Sequence, residues 1–82
     1  MKYIVYGLYS EKFDKIYIGY SSNIEARLFS HNSLRNKGWT KHFQPWELIY
    51  TEELETKAEA MKRESQLKSA QGRIFIRSRI KK

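Results

Sequence analysis

The chain has no cysteine, which removes disulfide staples and thiolate metal sites and leaves a reducing compartment open. It has a single proline and no run of the roughly 20 apolar residues that a membrane span needs. Met1 and Lys2 lead straight into an apolar strand pattern, without the leader of a secreted protein. A cytoplasmic protein with no part in a membrane is therefore expected. Repeats, linkers and low-complexity segments are missing too, so residues 1–82 read as one domain around a modest core.

Acidic residues are few and unevenly placed. Sixteen Lys and Arg face nine Asp and Glu, for a net charge of +7. No acid follows Glu64, whereas Lys68, Arg73, Arg77, Arg79, Lys81 and Lys82 close the chain. Such a field either attracts a polyanion or serves as a solvated tail. Charge alone does not separate the two.

What is present is strongly patterned. Residues 2–9, KYIVYGLY, are apolar on both faces, as a central strand covered above and below requires. In residues 15–20, Ile16, Ile18 and Tyr20 alternate with Tyr17 and Gly19, the period of a strand. The short polar stretch between them predicts an antiparallel hairpin with Tyr6 near Tyr17. Pro45 introduces a third strand over 46–51, with Trp46, Leu48 and Tyr50 on one face.

Ser22 with Glu25 reads as a capping box that starts a helix at Asn23. Ile24, Leu28 and Leu34 mark its apolar stripe, and at 100° per residue Arg27 and His31 fall inside that stripe. A buried cation without partners is costly, so either Arg27 reaches the rim and His31 is a satisfied core histidine, or the pair has chemistry to do. Residues 32–43 read as a loop in which Trp39, Lys41, His42 and Phe43 mix bases with aromatics; this suits stacking and phosphate contact, or plugging of the core edge. Thr56 with Glu59 is a second capping box, opening a helix to about Ala70. Glu64 lies in the middle of that helix's apolar stripe, where a carboxylate must be paired, hydrogen-bonded or metal-bound. Gly72 reads as a stop, with a last short helix or strand beyond it.

Together, Tyr6, Tyr17-Ile18-Gly19, Arg27 and His31 four apart, Thr40-Lys41 ahead of Pro45-Trp46, and Glu64 within EAMKRESQLK resemble the GIY-YIG nuclease domain, and in particular its small stand-alone excinuclease-subunit-C-like members. The resemblance covers nearly the whole chain. It implies an α/β (α+β) fold, a three-stranded antiparallel sheet flanked by helices in the order β-β-α-β-α with a short C-terminal helix. It also implies hydrolysis of DNA phosphodiesters with Mg²⁺ or Mn²⁺. Tyr6, Tyr17, Arg27, His31 and Glu64 match catalytic positions, Glu64 that of the metal ligand, and Gly19 the glycine of the second tripeptide. The chain departs from the pattern in its first tripeptide, Ile4-Val5-Tyr6, and in having no asparagine after Asn36.

The residue types suit those jobs. Glu64 is a hard oxygen ligand for one ion, Arg27 a planar fork for a phosphate, and either tyrosine a base if a cation favours its phenolate. Gly19 would allow close backbone approach to substrate. Lys41, Lys68 and Arg73 are expected to make phosphate contacts. A DNA endonuclease acting on damaged or branched DNA in repair or recombination is the leading reading. The alternatives are a noncatalytic nucleic-acid-binding module on the same fold and an interaction domain in which Arg27, His31 and Glu64 form a structural network. With no room for a second recognition domain, specificity is expected from DNA structure, a protein partner or self-association.

Overall fold

The computed structural model describes residues 2–33, 35–36 and 38–80. Strand β1, Tyr3–Ser10, is central, with β2, Lys15–Ser21, on one side and β3, Glu47–Leu54, on the other, both antiparallel to it. Helix α1, Ile24–His31, follows β2, and a short 3₁₀ turn, Trp39–Phe43, precedes β3. Helices α2, Lys57–Leu67, and α3, Ala70–Arg77, end the chain. The expected antiparallel sheet with flanking helices is the one observed.

Alternation along β1 divides the core. Val5 and Tyr9 face α2 and α3, packing with Ile16, Ile18, Ala60, Leu67 and Ile76. Tyr6 and Leu8 face the other way, onto Trp46, with Ile24 and Leu28 of α1 and Phe43 at the margin. Leu8, Leu67 and Ile76 are fully buried, each contributing about 1.5–3 kcal/mol by leaving water. At the far end of the sheet, Asp14 adopts φ 51° to close the hairpin, and its carboxylate accepts from Arg77 at 2.9 Å, tying α3 to the turn.

Several local expectations are corrected. Helix α1 starts at Ile24, because Asn23, not Ser22, is the cap: its Oδ1 accepts from Ala26 N at 3.1 Å, and the Ser21 hydroxyl accepts from Asn23 N. The helix ends at His31, and Leu34 lies outside the described residues. The stretch read as a plain loop contains the 3₁₀ turn. Strand β3 runs to Leu54, and Trp46 precedes it. A bulge between Gly7/Tyr50 and Leu8/Leu48 inserts Ile49, so Leu48 stays on the face of Trp46 while Tyr50 turns to the opposite one, against Phe75. The Thr56 cap is as expected, accepting from Glu59 N at 3.1 Å. However, α2 ends at Leu67, where the Ser69 hydroxyl donates to Gln66 O and accepts from Gly72 N, closing one helix and opening the next. Gly72 is thus inside α3, not a stop. A Cβ there would lie 2.4 Å from both Leu67 Cα and Leu67 O, so the residue lets α3 start hard against the end of α2.

Candidate active site

Tyr6 stands on β1 with its ring over Gly19 of β2, the residue opposite it in register. A Cβ at position 19 would come within 2.8 Å of Tyr6 Oη and 3.1 Å of Tyr17 Cε2. The missing side chain at Gly19 therefore makes room for the Tyr6 ring, and the residue also lines the cleft described below. On α1 the i, i+4, i+7 positions Ile24, Leu28 and His31 face inward, which brings His31 Nε2 to 3.0 Å from Tyr6 Oη. The other ring nitrogen, Nδ1, is 3.0 Å from Thr40 Oγ1. Tyr17 packs across the same imidazole, with ring centroids 4.6 Å apart. Trp39, half exposed, stacks beside Tyr17 with ring centroids 6.5 Å apart.

In front of Tyr6 opens a cleft of about 370 Å³ at the β2 edge of the sheet. It is lined by Tyr6, Tyr17 and Gly19 from the strands, Arg27 from α1, and Glu64 and Lys57 from α2. Arg27 is exposed, not buried in the stripe. Helix α1 overlies the edge strand, and one flank of it is open to water, so the guanidinium stays solvated. Glu64 keeps 22% of its side chain exposed and pairs with Lys68 at 3.6 Å. His31 does not line the cleft; it stands behind Tyr6. A larger hollow of about 640 Å³, between β3 and residues 79–80, includes Glu11, Asp14, Glu47 and Arg79 and none of the candidate catalytic or phosphate-contacting residues.

Burial first, with the Arg27 charge second, holds the His31 imidazole below the usual histidine range. Tyr6 is 2% exposed, and its phenol is pushed up to about 12, chiefly by burial, then by Tyr17 and Glu64, with Arg27 acting against them. The fold thus favours the neutral phenol. Its stabilisation is complete below the ordinary tyrosine value of 10.0 and is lost as pH rises from there toward 12, a contribution of about 3 kcal/mol. Urea unfolding of wild type and Tyr6→Phe across that interval should show the steeper loss in wild type. Parallel curves would mean that Tyr6 ionises in the folded protein as freely as in the unfolded one.

A family model, described as the GIY-YIG catalytic domain, matches residues 2–78. The chain belongs to the GIY-YIG family. The UPF0213 protein SH2523 of Staphylococcus haemolyticus is 40% identical over 58 residues, 71% of this chain and 71% of that protein. The UPF0213 protein SSP2268 of Staphylococcus saprophyticus is 41% identical over 54 residues, 66% of each. The solution NMR structure of the UPF0213 protein BH0048 from Bacillus halodurans superposes with a TM-score of 0.56 at 28% identity, covering 95% of this chain and 84% of that one.

GIY-YIG domains are in general nucleases, and typically use a divalent metal. In this GIY-YIG domain, Glu64 is the carboxylate that lines the cleft, and among the described residues no three His, Cys, Asp or Glu converge on a common point. That donor set fits a single Mg²⁺ or Mn²⁺ that keeps most positions for water and phosphate oxygens, and does not fit a two-metal centre. No helix among the described residues is long and apolar enough to cross a membrane. Of the residues expected to touch phosphate, Lys68 is drawn to Glu64, while exposed Lys41 and Arg73 lie on the 3₁₀ turn and α3, outside the cleft. Sequence reading missed Lys57, the first residue of α2, whose signal was its place directly after the Thr56 cap. It also gave Thr40 no role at His31. The only signal for that was a hydroxyl in an otherwise basic and aromatic stretch.

Proposed function

We propose that this GIY-YIG protein is a metal-dependent endonuclease that hydrolyses phosphodiester bonds in DNA in the cytoplasm. One observation carries the reading: Tyr6, Tyr17, Arg27 and Glu64, from four different elements, line one cleft. A Mg²⁺ or Mn²⁺ ion held by Glu64 would supply Lewis-acid neutralisation of phosphoryl charge.

The chain's own groups do the rest. Arg27, solvated and free to reorient, offers two parallel N–H donors to a phosphate and stabilises the charge that builds up as the water attacks. Tyr6 and Tyr17 present phenols to the same space, and Arg27 is the cation that opposes the upward pull on the Tyr6 phenol, so phosphate and base are served by one side chain. Lys57 adds positive charge at the rim. Lys41, Lys68 and Arg73 provide sequence-independent contacts beyond it, and selectivity falls to DNA shape, to a protein partner or to self-association.

Labelled plain, nicked and branched duplexes incubated with the purified protein should be cut with Mg²⁺ or Mn²⁺ and left intact with EDTA. The duplex cut fastest identifies the preferred shape, branched or damaged DNA being the form suited to repair and recombination. Binding should weaken steeply as salt rises. Salt-sensitive binding with no cutting on any duplex would overturn the endonuclease reading in favour of a noncatalytic DNA-binding module.

A further inference from the structure

Behind Tyr6 lies a chain of three polar side chains whose hydrogen-bond directions can be worked out from one end. Asn36 Oδ1 is 2.7 Å from Gly38 N, which can only donate. Asn36 Nδ2 is 3.3 Å from His31 O, which can only accept. The amide is therefore fixed, and its remaining hydrogen points to Thr40 Oγ1 at 2.6 Å. Thr40 is 4% exposed, and its backbone is pinned by Trp46 Nε1, which donates to Thr40 O at 2.8 Å. Toward Asn36 the hydroxyl is an acceptor. Among the described residues its one other side-chain partner is His31 Nδ1.

If Nδ1 carried a hydrogen, Thr40 Oγ1 would accept twice and its own hydrogen would have no acceptor in a site closed to water, an arrangement that folded proteins avoid. If Nδ1 is bare, every donor in the chain is satisfied. We propose that Thr40, oriented by Asn36, donates to His31 Nδ1 and so holds His31 in the tautomer that carries its hydrogen on Nε2 and donates it to Tyr6 Oη. The Tyr6 oxygen then receives a hydrogen from behind, and its own hydrogen turns away from His31 toward the cleft that holds Arg27, Tyr17 and Glu64. His31 does not draw the proton off Tyr6. It steadies the oxygen from behind while Tyr6 exchanges its proton with the cleft. Thr40 and Asn36 are positioning residues. The catalytic meaning of this arrangement rests on the nuclease reading above, whereas the tautomer itself does not.

The tautomer is read from the nitrogen-15 shifts of the His31 ring in labelled protein, at a pH where the imidazole is neutral. A His42→Gln background leaves a single histidine. Wild type should show a hydrogen-bearing Nε2 and a bare Nδ1, one tautomer in excess by about tenfold or more. Thr40→Ser should keep that pattern, and Thr40→Val should give a mixture. Asn36→Asp should invert it, because a carboxylate takes the Thr40 hydrogen and leaves Thr40 to accept from Nδ1. A wild-type ring with its hydrogen on Nδ1 overturns the proposal, as does a pattern unchanged in both Thr40→Val and Asn36→Asp. The wild-type and Asn36→Asp spectra decide even if Thr40→Val fails to fold. None of these readings involves DNA, so failure of the nuclease assignment would leave them standing. In the active enzyme, Thr40→Val should lower kcat by about 10- to 100-fold with KM little changed, and Thr40→Ser should restore it.

Discussion

Replacing Glu64 by Gln is expected to lower the rate of DNA cleavage by about 10³-fold or more and to leave the fold standing. The loss follows from chemistry: Gln keeps the volume and one carbonyl oxygen but has no charge with which to hold a divalent ion, and metal stabilisation of phosphoryl charge is worth several kcal/mol. Stability is spared because, among the described residues, Glu64 pairs with Lys68 alone, at 3.6 Å one helical turn away, with 47% of the lysine side chain exposed. Such pairs contribute about 0.3–0.5 kcal/mol. Cleavage, calorimetric Mn²⁺ binding and the thermal midpoint should be measured on the same preparation. If the Glu64→Gln variant loses several kcal/mol of stability while its folded fraction still cuts, Glu64 is a structural network member and the metal assignment is wrong.

Gly72→Ala should be among the most destabilising single-methyl additions this fold can receive, costing about 3 kcal/mol or more. The added Cβ would lie 2.4 Å from Leu67 Cα and O and 2.5 Å from Gln66 O. These are backbone atoms, so no rotamer change relieves the overlap and the junction of α2 and α3 has to open. Opening it draws apart Leu67 and Ile76, which are 2% and 0% exposed. For a domain of this length, a loss of about 3 kcal/mol lowers the melting temperature by about 12–24 °C. Gly38→Ala is the control, since among the described residues its Cβ would meet a single atom, the side-chain Oδ1 of Asn36, at 3.3 Å. A Gly72→Ala protein that melts within a few degrees of wild type would show that the junction has slack.

The contrast between these glycines shows where sequence reading succeeded and where it stopped. The β1–β2 hairpin and the Thr56 cap were legible because each is set by residues a few positions apart: the alternation of Ile16, Tyr17 and Ile18, and a hydroxyl three residues before an acid. The gathering of Tyr6, Tyr17, Arg27 and Glu64 was legible only through the GIY-YIG resemblance, because nothing local joins strands to helices so far apart in the chain. Gly72 was misread because a glycine that ends a helix and a glycine that admits a neighbouring backbone look alike in one sequence. The contact with Leu67 that separates them is set by how α3 folds back, and the Ser69 cap was the overlooked sign. Tyr50 changed faces through one inserted residue, Ile49, and a bulge depends on the partner strand's register. The wheel puts Arg27 within the apolar sector of α1, and of the two placements the sequence left open the exposed one is observed, because one flank of α1, beside the β2 edge, stays open to water while Ile24, Leu28 and His31 pack inward.

The two tryptophans occupy opposite environments: Trp46 is 4% exposed beneath Tyr6 and Leu8, and Trp39 is 50% exposed beside Tyr17 at the edge of the site. Indole emission follows its surroundings, and with ring centroids 6.0 Å apart the two indoles form a coupled pair of intrinsic fluorophores, one shielded and one open. The bluer, shielded signal of Trp46 belongs to the packed interior and disappears with it. The redder signal of Trp39 is open to soluble quenchers and to any ring that stacks on it. A Trp39→Phe spectrum therefore shows, without any attached dye, the emission of Trp46 alone, and its difference from that of the unmodified chain reports Trp39 together with its exchange of excitation with Trp46.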